Sequence, residues 1–303
     1  MISINTVGLE SNPGFKITPQ MANRIAVAAV YGDLFQRVLY ATRPYEEEAG
    51  ATDALYQMWR RKVRNSIIHP RPSAFKRNVR EIVSQFDALP RIEKTIPKVG
   101  VVGEILVKYH PTANNNLVQV LEDEGVEVVV PDIIDFFLYC SYNAIYKHDV
   151  LSGKASAKRN GKLIIRVIEM YRKNMKRALI KSRHFGPPST IYKKAQKATE
   201  LISLGNQGGE GWFLTAEMME LIEGGVENIV CVQPFACLPN HVLGKGMIKP
   251  IRKRYPYANI SPIDYDPGAS EVNQINRIKL MIETSWKNLE KKQASEALEE
   301  KIG

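Results

Sequence analysis

The stretch that decides the fold is residues 227–266, ENIVCVQPFACLPNHVLGKGMIKPIRKRYPYANISPIDYD. It opens with a short apolar run of strand type, Glu227 to Val232. A loop with Cys237, a helix from about Val242 to Arg254 and a second strand from Asn259 to Asp264 follow. Strand, helix and strand predict a parallel pairing, and open parallel sheets bind ligands beyond the carboxyl ends of their strands. Cys237 therefore lies where a functional thiol is expected.

An earlier segment has the same strand-helix-strand pattern. Lys98 to Val102 is a buried-type strand, and a loop from Gly103 to Asn115 follows, with His110 in it. A helix from Asn116 to Glu124 and a strand from Val126 to Val130 complete a βαβ unit. The sequence therefore predicts an α/β protein built on parallel strands.

Helical periodicity dominates the rest of the chain. The first helix is predicted to start after Thr18, a suitable N-cap, with Pro19 at its first position, and residues 1–17 are expected to be irregular. Two more helices are expected at about 51–66 and 73–88. The predicted organisation is a mainly helical module at 1–95, a first βαβ unit at 96–150, a basic helical segment at 151–200, a second α/β unit at 201–285 and a charged helical tail at 286–303.

The basic segment contains a long amphipathic helix, predicted from Lys162 to Lys181. One apolar stripe is expected to face the core: Ile164, Ile168, Tyr171, Met175 and Leu179. Basic residues fall largely off that stripe, and a solvated face is expected for them: Arg166, Arg172, Lys173, Lys176 and Arg177.

Composition narrows the functional classes. The 303 residues carry a net charge of +10, concentrated between positions 154 and 194, but no RNA- or DNA-binding signature accompanies it. Anionic substrates such as acyl-CoA, or an acidic partner, explain the charge without nucleic acid. The sequence has no apolar run long enough for a transmembrane helix, no signal-peptide pattern and an odd number of cysteines, 3. These features predict a cytoplasmic protein without a membrane partner.

A glycine-rich loop, GNQGGEG at residues 205–211, precedes a helix predicted from Phe213 to Ile222. It lacks the Lys-Ser/Thr ending of a P-loop and does not match GxGxxG. Backbone amides at a helix N-terminus suit an anion, whereas a tight turn that needs positive φ explains the glycines equally well. The candidate ligand contacts in this loop are Asn206, Gly208, Gly209 and Glu210.

Three single cysteines are spread over both halves of the chain. Cys231 lies inside an apolar strand, where a thiol usually acts as a small hydrophobe. Cys140 lies about two turns into a helix predicted from Asp132 to Ile145, and Cys237 lies past a strand end. Without a CxxC motif, a self-contained zinc site is not expected. Separated cysteines can still meet in a cleft and hold an iron–sulfur cluster.

Long strings of the chain resemble the 2-hydroxyacyl-CoA dehydratase D-component family, and most closely the C-terminal part of the large acyl-CoA dehydratase activase-related proteins. The resemblance covers nearly all of residues 5–285. It is carried by NPGFKITPQ, VYGDLFQRVLYATRPYE, VGEILVKYHPTANNNLVQVLEDEGVEVVVPDIIDFFLYC, SLGNQGGEGWFLTAEMMELI, VCVQPFACLPNHVLGKGMIKPIRKRYP and IDYDPGASEVNQINRIKLMI.

The resemblance implies Rossmann-like halves and an oxygen-sensitive [4Fe–4S] cluster held by cysteines. In such dehydratases a partner activase hydrolyses ATP and delivers one electron through the cluster to a 2-hydroxyacyl-CoA, which loses water by a ketyl-radical route. Cys140 and Cys237 match ligand positions of the family, and Cys231 is the candidate for a third thiolate. The family's upstream half, which usually supplies a further cysteine, has no counterpart in this sequence.

Three hypotheses follow. The first is an iron–sulfur electron-transfer or dehydratase-like component whose cleft is lined by the glycine-rich loop, His110, His241 and Lys245. The second is a cluster-less scaffold that docks an activase or a dehydratase subunit through its basic helices, and the third is a coenzyme A- or nucleotide-binding domain without redox chemistry. The expected partners are the activase or a subunit that carries the missing half, in a homo- or heterodimer.

Overall fold

The computed structural model describes residues 17–302, and their side chains as far as residue 296. Most of the predicted irregular segment at 1–17 therefore lies outside the described residues. The helices are α1 Pro19–Tyr40, α2 Ala51–Ile68, α3 Pro72–Asp87, α4 Ile105–Tyr109, α5 Leu117–Asp123, α6 Ile134–Val150, α7 Ala155–Leu179, α8 Ile191–Ala198, α9 Gly211–Glu223, α10 Leu238–Leu243, α11 Ile248–Arg254 and α12 Glu271–Ile302. The strands are β1 Lys98–Gly103, β2 Glu127–Val129, β3 Asn228–Pro234 and β4 Asn259–Tyr265.

The four strands form one parallel sheet in the order β2-β1-β3-β4. The two predicted strand pairs therefore join through β1 and β3, where Val101 lies opposite Val230. Within the second pair, Val232 of β3 lies opposite Ile263 of β4. The α/β class with a parallel, Rossmann-like sheet is confirmed. β1 and β3 are central strands and are buried on both faces, as their continuous apolar runs predict.

Helices cover both faces of the sheet. Residues of α5 and α12 pack on one face, against Val99, Val101 and Val230. Residues of α9 and α11 pack on the other face, against Ile229 and Cys231. This three-layer arrangement exposes the ends of the strands rather than their faces, so functional groups collect at the carboxyl edge.

A separate hydrophobic core joins the helices of the first third of the chain to those of the middle. Buried residues of α1, α2 and α3 pack with those of α6, α7 and α8. Thr18 caps α1 as predicted, because its Oγ1 accepts a hydrogen bond from the amide of Met21 at 3.2 Å. The predicted N-terminal module and basic segment thus share one core.

The buried face of α7 differs from the prediction. Met175 and Leu179 are buried as expected, but Ile164 is exposed and Arg172 is completely buried. The guanidinium of Arg172 lies 2.8 Å from carboxylate oxygens of both Asp132 and Asp135. Ion pairing with these two carboxylates offsets the cost of burying the guanidinium, so the solvated-face expectation is wrong for Arg172.

Three predicted elements have different bounds in the structure. The expected loop at 103–115 contains α4 and a short 3-10 helix at Pro111–Asn114. The expected helix at 242–254 is broken into α10, a 3-10 turn and α11, because the chain turns at Gly244 (φ −100°, ψ −82°). The expected tail continues α12 without interruption.

Candidate functional site

The strand order creates a switch point between β1 and β3. The chain leaves β1 toward β2 on one side of the sheet and later returns to β3 on the other side. The connections after β1 and β3 therefore run in opposite directions and leave a crevice between them at the carboxyl edge. Gly103 ends β1 and Pro234 ends β3 at this crevice.

Tight backbone contact closes the base of the crevice. Gly103 has a φ of +141°, and a Cβ atom added to it would lie 1.8 Å from the carbonyl oxygen of Val232. The next residue, Glu104, donates its amide hydrogen to that same oxygen at 3.0 Å. Only glycine therefore fits where the two strands separate.

Cys237 lies at the crevice, directly after β3, as the sequence predicts. It occupies the N-cap position of α10 instead of a free loop, and its carbonyl accepts from the amide of His241 at 2.9 Å. The preceding residue, Ala236, has a φ of +61°. A non-glycine residue in this region stores backbone strain, and such strain concentrates at functional sites.

A single amide group connects Cys237 to the glycine-rich loop. Nδ2 of Asn240 donates to the sulfur of Cys237 at 3.2 Å and to Oε2 of Glu210 at 2.8 Å. Glu210 is buried, and its other oxygen accepts from the amide of Ile105 at 3.4 Å, just after β1. The carboxylate thus bridges the two sides of the switch point.

The glycine-rich loop is a tight turn with positive φ at Gly209 (+54°) and Gly211 (+50°). A Cβ atom at Gly211 would lie 2.2 Å from the hydroxyl oxygen of Tyr139. That hydroxyl lies 3.1 Å from the carbonyl oxygens of both Gln207 and Gly209 and donates to them. The turn conformation explains these glycines, and ligand contacts by Asn206, Gly208 and Gly209 stay a prediction.

Cys140 follows Tyr139 on α6 and is exposed to solvent. Desolvation by the surrounding chain raises the pKa of its thiol, and the charge of nearby Glu210 raises it further. Glu210 is therefore joined to Cys237 through Asn240, and its charge also acts on the thiol of Cys140. These two cysteines are 97 positions apart in the sequence.

Cys231 lies elsewhere, in the core between the sheet and α9. Its side chain is fully buried, and burial raises the pKa of the thiol to about 12. A Cβ atom at Gly244 would lie 3.0 Å from its sulfur. Cys231 is thus packed as a small apolar residue, and it does not share the crevice with the other two cysteines.

Two more predicted residues meet at the edge of the crevice. The carboxylate of Asp264, on β4, lies 4.0 Å from Nε2 of His241 and 3.7 Å from Nζ of Lys245. It also accepts a hydrogen bond from Nε2 of Gln233 at 2.7 Å. The side chain of His110 is exposed at the end of α4 and forms no hydrogen bond within residues 17–296.

Several buried polar atoms at this edge have no hydrogen-bond partner within the described part of the chain. They are Oε1 of Gln233, Oδ1 of Asn240, Nε2 of His241 and both amide atoms of Gln207. Buried polar atoms are rarely left unpaired in proteins unless water, an ion or a ligand satisfies them. The crevice near Cys237 and Glu210 thus has hydrogen-bonding capacity that the described residues do not use.

The donor set fits an iron–sulfur cluster only in part. Cys237 supplies one thiol at the crevice and Cys140 an exposed thiol on α6, whereas Cys231 is enclosed in the core. Within the described residues, no three His, Cys, Asp or Glu side chains are grouped so as to hold a metal ion. Since clusters take three or four thiolates, this chain offers about half of a ligand set.

Exposed apolar side chains occur on all three segments that carry the site. Phe235 (68% exposed), Leu238 (72%) and Val242 lie on the Cys237 segment, Leu106 lies on α4, and Phe137 precedes Cys140 by one turn. We call these five residues the apolar rim.

The sequence pattern did not identify Asn240, Gln233 or Asp264 as parts of the site. One signal was present: Gln233 and Asp264 come at the ends of two predicted parallel strands, where functional side chains collect. Asn240 had no such signal, because its role depends on how α10 turns after Cys237.

None of the helices that the structure describes is sufficiently long and apolar to span a bilayer. In comparisons with known proteins, the chain matches no family model, no curated protein and no solved structure.

Proposed function

We propose that the chain is one component of an iron–sulfur protein similar to a 2-hydroxyacyl-CoA dehydratase component, in which Cys140 and Cys237 ligate a [4Fe–4S] cluster completed by a second chain. The observation that supports this proposal most is the hydrogen-bonded link from the Cys237 sulfur through Asn240 to Glu210, whose charge also acts on the Cys140 thiol. When bound, such a cluster accepts and donates one electron at a time.

The residues around the thiols have separate roles in this proposal. Asn240 donates to the Cys237 sulfur, and hydrogen bonds to thiolate sulfur tune the potential of a cluster. Glu210 holds Asn240 in place through its own hydrogen bond. The carboxylate also disfavours a charged Cys140 thiolate while no cation is bound.

The second chain supplies the missing thiolates and covers the apolar rim. Cluster sites are protected from water when apolar residues enclose them, and the rim of this chain is open on its own. The activase, or a subunit that supplies further cysteines, suits this role. Acyl-CoA is the substrate class of the assembled protein in this proposal.

Iron and acid-labile sulfide content, measured with a visible spectrum on anaerobically purified and reconstituted protein, tests the proposal. The expected result is about two irons per chain when a pair of chains shares one cluster, or about four when a partner subunit is present. Cys140→Ser and Cys237→Ser should each remove the visible absorbance.

Cys231→Ala is the matched control, because Cys231 lies outside the crevice and its loss should leave the iron content unchanged. Full iron content in both Cys140→Ser and Cys237→Ser would contradict the proposal. Absence of iron after reconstitution, with and without the partner, would favour a cluster-less scaffold. The exposed cations of α7 are the surface that such a scaffold offers to an acidic partner.

A further inference from the structure

A cavity that shares no lining residue with the cysteine crevice lies between α3 and the C-terminal end of α7. It encloses about 450 Å³. Four cationic side chains dominate its lining: two on α3, one on α7 and one in the turn that follows α7. The lining residues are Lys76, Arg80, Asn174, Arg177, Ala178, Ile180 and Lys181.

The four cations are Lys76, Arg80, Arg177 and Lys181, and we call them the cation quartet. Within residues 17–296 none of them forms an ion pair, and all four are exposed. Lys76 and Arg80 are four positions apart on one face of α3, and Arg177 near the end of α7 is followed four positions later by Lys181 in the next turn. Like charges at such short range repel each other, and a bound anion would offset that repulsion.

Carboxylates of the same helices do not neutralise the cation quartet. Within the printed sequence of α3 and α7 there are three acidic residues, Glu81, Asp87 and Glu169. Glu81 pairs with Lys62 at 3.1 Å, and Asp87 accepts from the hydroxyl of Ser182 at 2.6 Å. Glu169 pairs with Lys176 at 2.6 Å. Each acid therefore has another partner.

An apolar cavity of about 290 Å³ continues the groove toward the N-terminal end of α3. Asn174 lines both cavities, so the amide lies at their junction. Aromatic, aliphatic and proline side chains form most of the lining of this apolar cavity, which includes one more cation, Arg71. The lining residues are Asn23, Val27, Pro70, Arg71, Pro72, Phe75, Met170, Tyr171 and Asn174.

We propose that this groove binds a nucleotide that carries two or three phosphates, with the base in the apolar cavity and the phosphates at the cation quartet. Flat bases pack on aromatic and apolar side chains, and Lys and Arg bind phosphate through charge-assisted hydrogen bonds. From Met170 to its end at Leu179 α7 rises about 14 Å, and Lys181 follows two residues later, which leaves room for an extended nucleoside triphosphate along the groove. The groove is separate from the cysteine crevice, and the inference does not depend on the cluster.

Calorimetric titration of the full chain tests this assignment. It is done at about 150 mM salt, which screens weak attraction between the ligand and exposed charges. ATP should bind about tenfold or more tightly than AMP, because the additional phosphates reach the cation quartet. ATP should also bind more tightly than tripolyphosphate, because only ATP has a base for the apolar cavity.

Two kinds of variant separate the halves of the groove. Arg177→Gln and Lys76→Gln should each weaken ATP about tenfold, and Arg166→Gln, on the exposed face of α7 outside the groove, should not change it. Met170→Asn, at a side chain that is 61% exposed, removes apolar surface without adding charge and should weaken ATP but leave tripolyphosphate unchanged.

Three results would overturn the assignment. One is the absence of heat with ATP at millimolar concentration. Another is equal affinity for ATP and tripolyphosphate, which would leave only a general anion site. The third is a single-stranded oligonucleotide that binds more tightly than ATP and displaces it, which would make the groove a nucleic-acid site.

Discussion

Arg172 on α7 and Asp135 on α6 form a completely buried ion pair, with 2.8 Å between Nη1 and Oδ1. Arg172 also lies 2.8 Å from Asp132, and Lys194 on α8 lies 3.4 Å from the second oxygen of Asp135. Burial alone would raise the pKa of Asp135, but the charges of Lys194 and Arg172 lower it below the usual range. The network fixes three helices of one core relative to each other.

The first prediction concerns Arg172→Met, which retains most of the side-chain volume and removes the charge. Asp132 and Asp135 would lose a buried partner, so the free energy of unfolding should fall by about 3–5 kcal/mol. Denaturant titration followed by circular dichroism measures it. Arg166→Met, on the exposed face of α7, is the control and should change stability by less than about 0.5 kcal/mol. Similar small effects of both substitutions would show that the ion pairs contribute little.

The second prediction concerns Asp33, whose carboxylate accepts from the amides of Ile133 and Ile134 at 3.0 and 3.2 Å. Burial and the charge of Asp132 raise its pKa well above the usual range. Below about pH 4 the carboxyl is protonated in both states, whereas above that pH the unfolded chain releases its proton first. Asp33 therefore lowers folded-state stability increasingly as the pH rises through this window.

Asp33→Asn removes this titration. The free energy of unfolding of the native sequence, minus that of Asp33→Asn, should decrease between pH 4 and pH 7. Urea titrations of both proteins at matched pH values measure the difference, and titrations common to both cancel. A difference that is independent of pH, or that increases with pH, would contradict the assignment.

The third prediction uses two glycines with opposite surroundings. Gly103→Ala places a methyl group 1.8 Å from a carbonyl oxygen at a φ of +141°, so we expect a loss of about 3 kcal/mol or more. Gly32 lies inside α1, and a Cβ atom there would meet nothing within 4 Å. Gly32→Ala should therefore stabilise the protein by up to about 1 kcal/mol. The melting temperatures of the two variants should move in opposite directions.

The fourth prediction is the number of accessible thiols in metal-free protein. Cys140 is exposed and Cys237 is half-buried, so both should react with an alkylating reagent in the native state. Cys231 should react only after unfolding, since it is fully buried and its pKa is about 12. Mass spectrometry after native and denatured labelling counts the sites. Native labelling of Cys231 at the rate of Cys140 would place it outside the core.

The fifth prediction links Glu210 to Cys140. Glu210→Gln removes a negative charge that raises the pKa of the Cys140 thiol, so its pKa should fall and its alkylation at pH 8 should become faster. The rate is measured against pH with Cys237→Ser as the background. Glu283→Gln, at an exposed site on α12, is the matched control and should leave the rate unchanged. An unchanged rate in Glu210→Gln would show that the Glu210 charge does not act on the Cys140 thiol.

Local patterns in the sequence determined the framework of this protein. The apolar runs at 98–102 and 227–232 became the two central strands, and Thr18 became an N-cap, because strand burial and helix capping depend on residues only a few positions apart. Cys237 was placed at a strand's carboxyl end for the same reason. A thiol at the edge of a parallel sheet therefore follows from the sequence alone.

Only the tertiary structure decided which of these features meet. Arg172 is buried because Asp135 on the adjacent α6 and Asp132 just before that helix, both about 40 positions earlier, lie beside it, whereas periodicity alone assigns it to solvent. Likewise Asn240 joins Cys237 to Glu210, and the cation quartet is created by two helices about 100 positions apart. The cost or gain of burying a charge depends on its partners in space, and no local pattern contains that information.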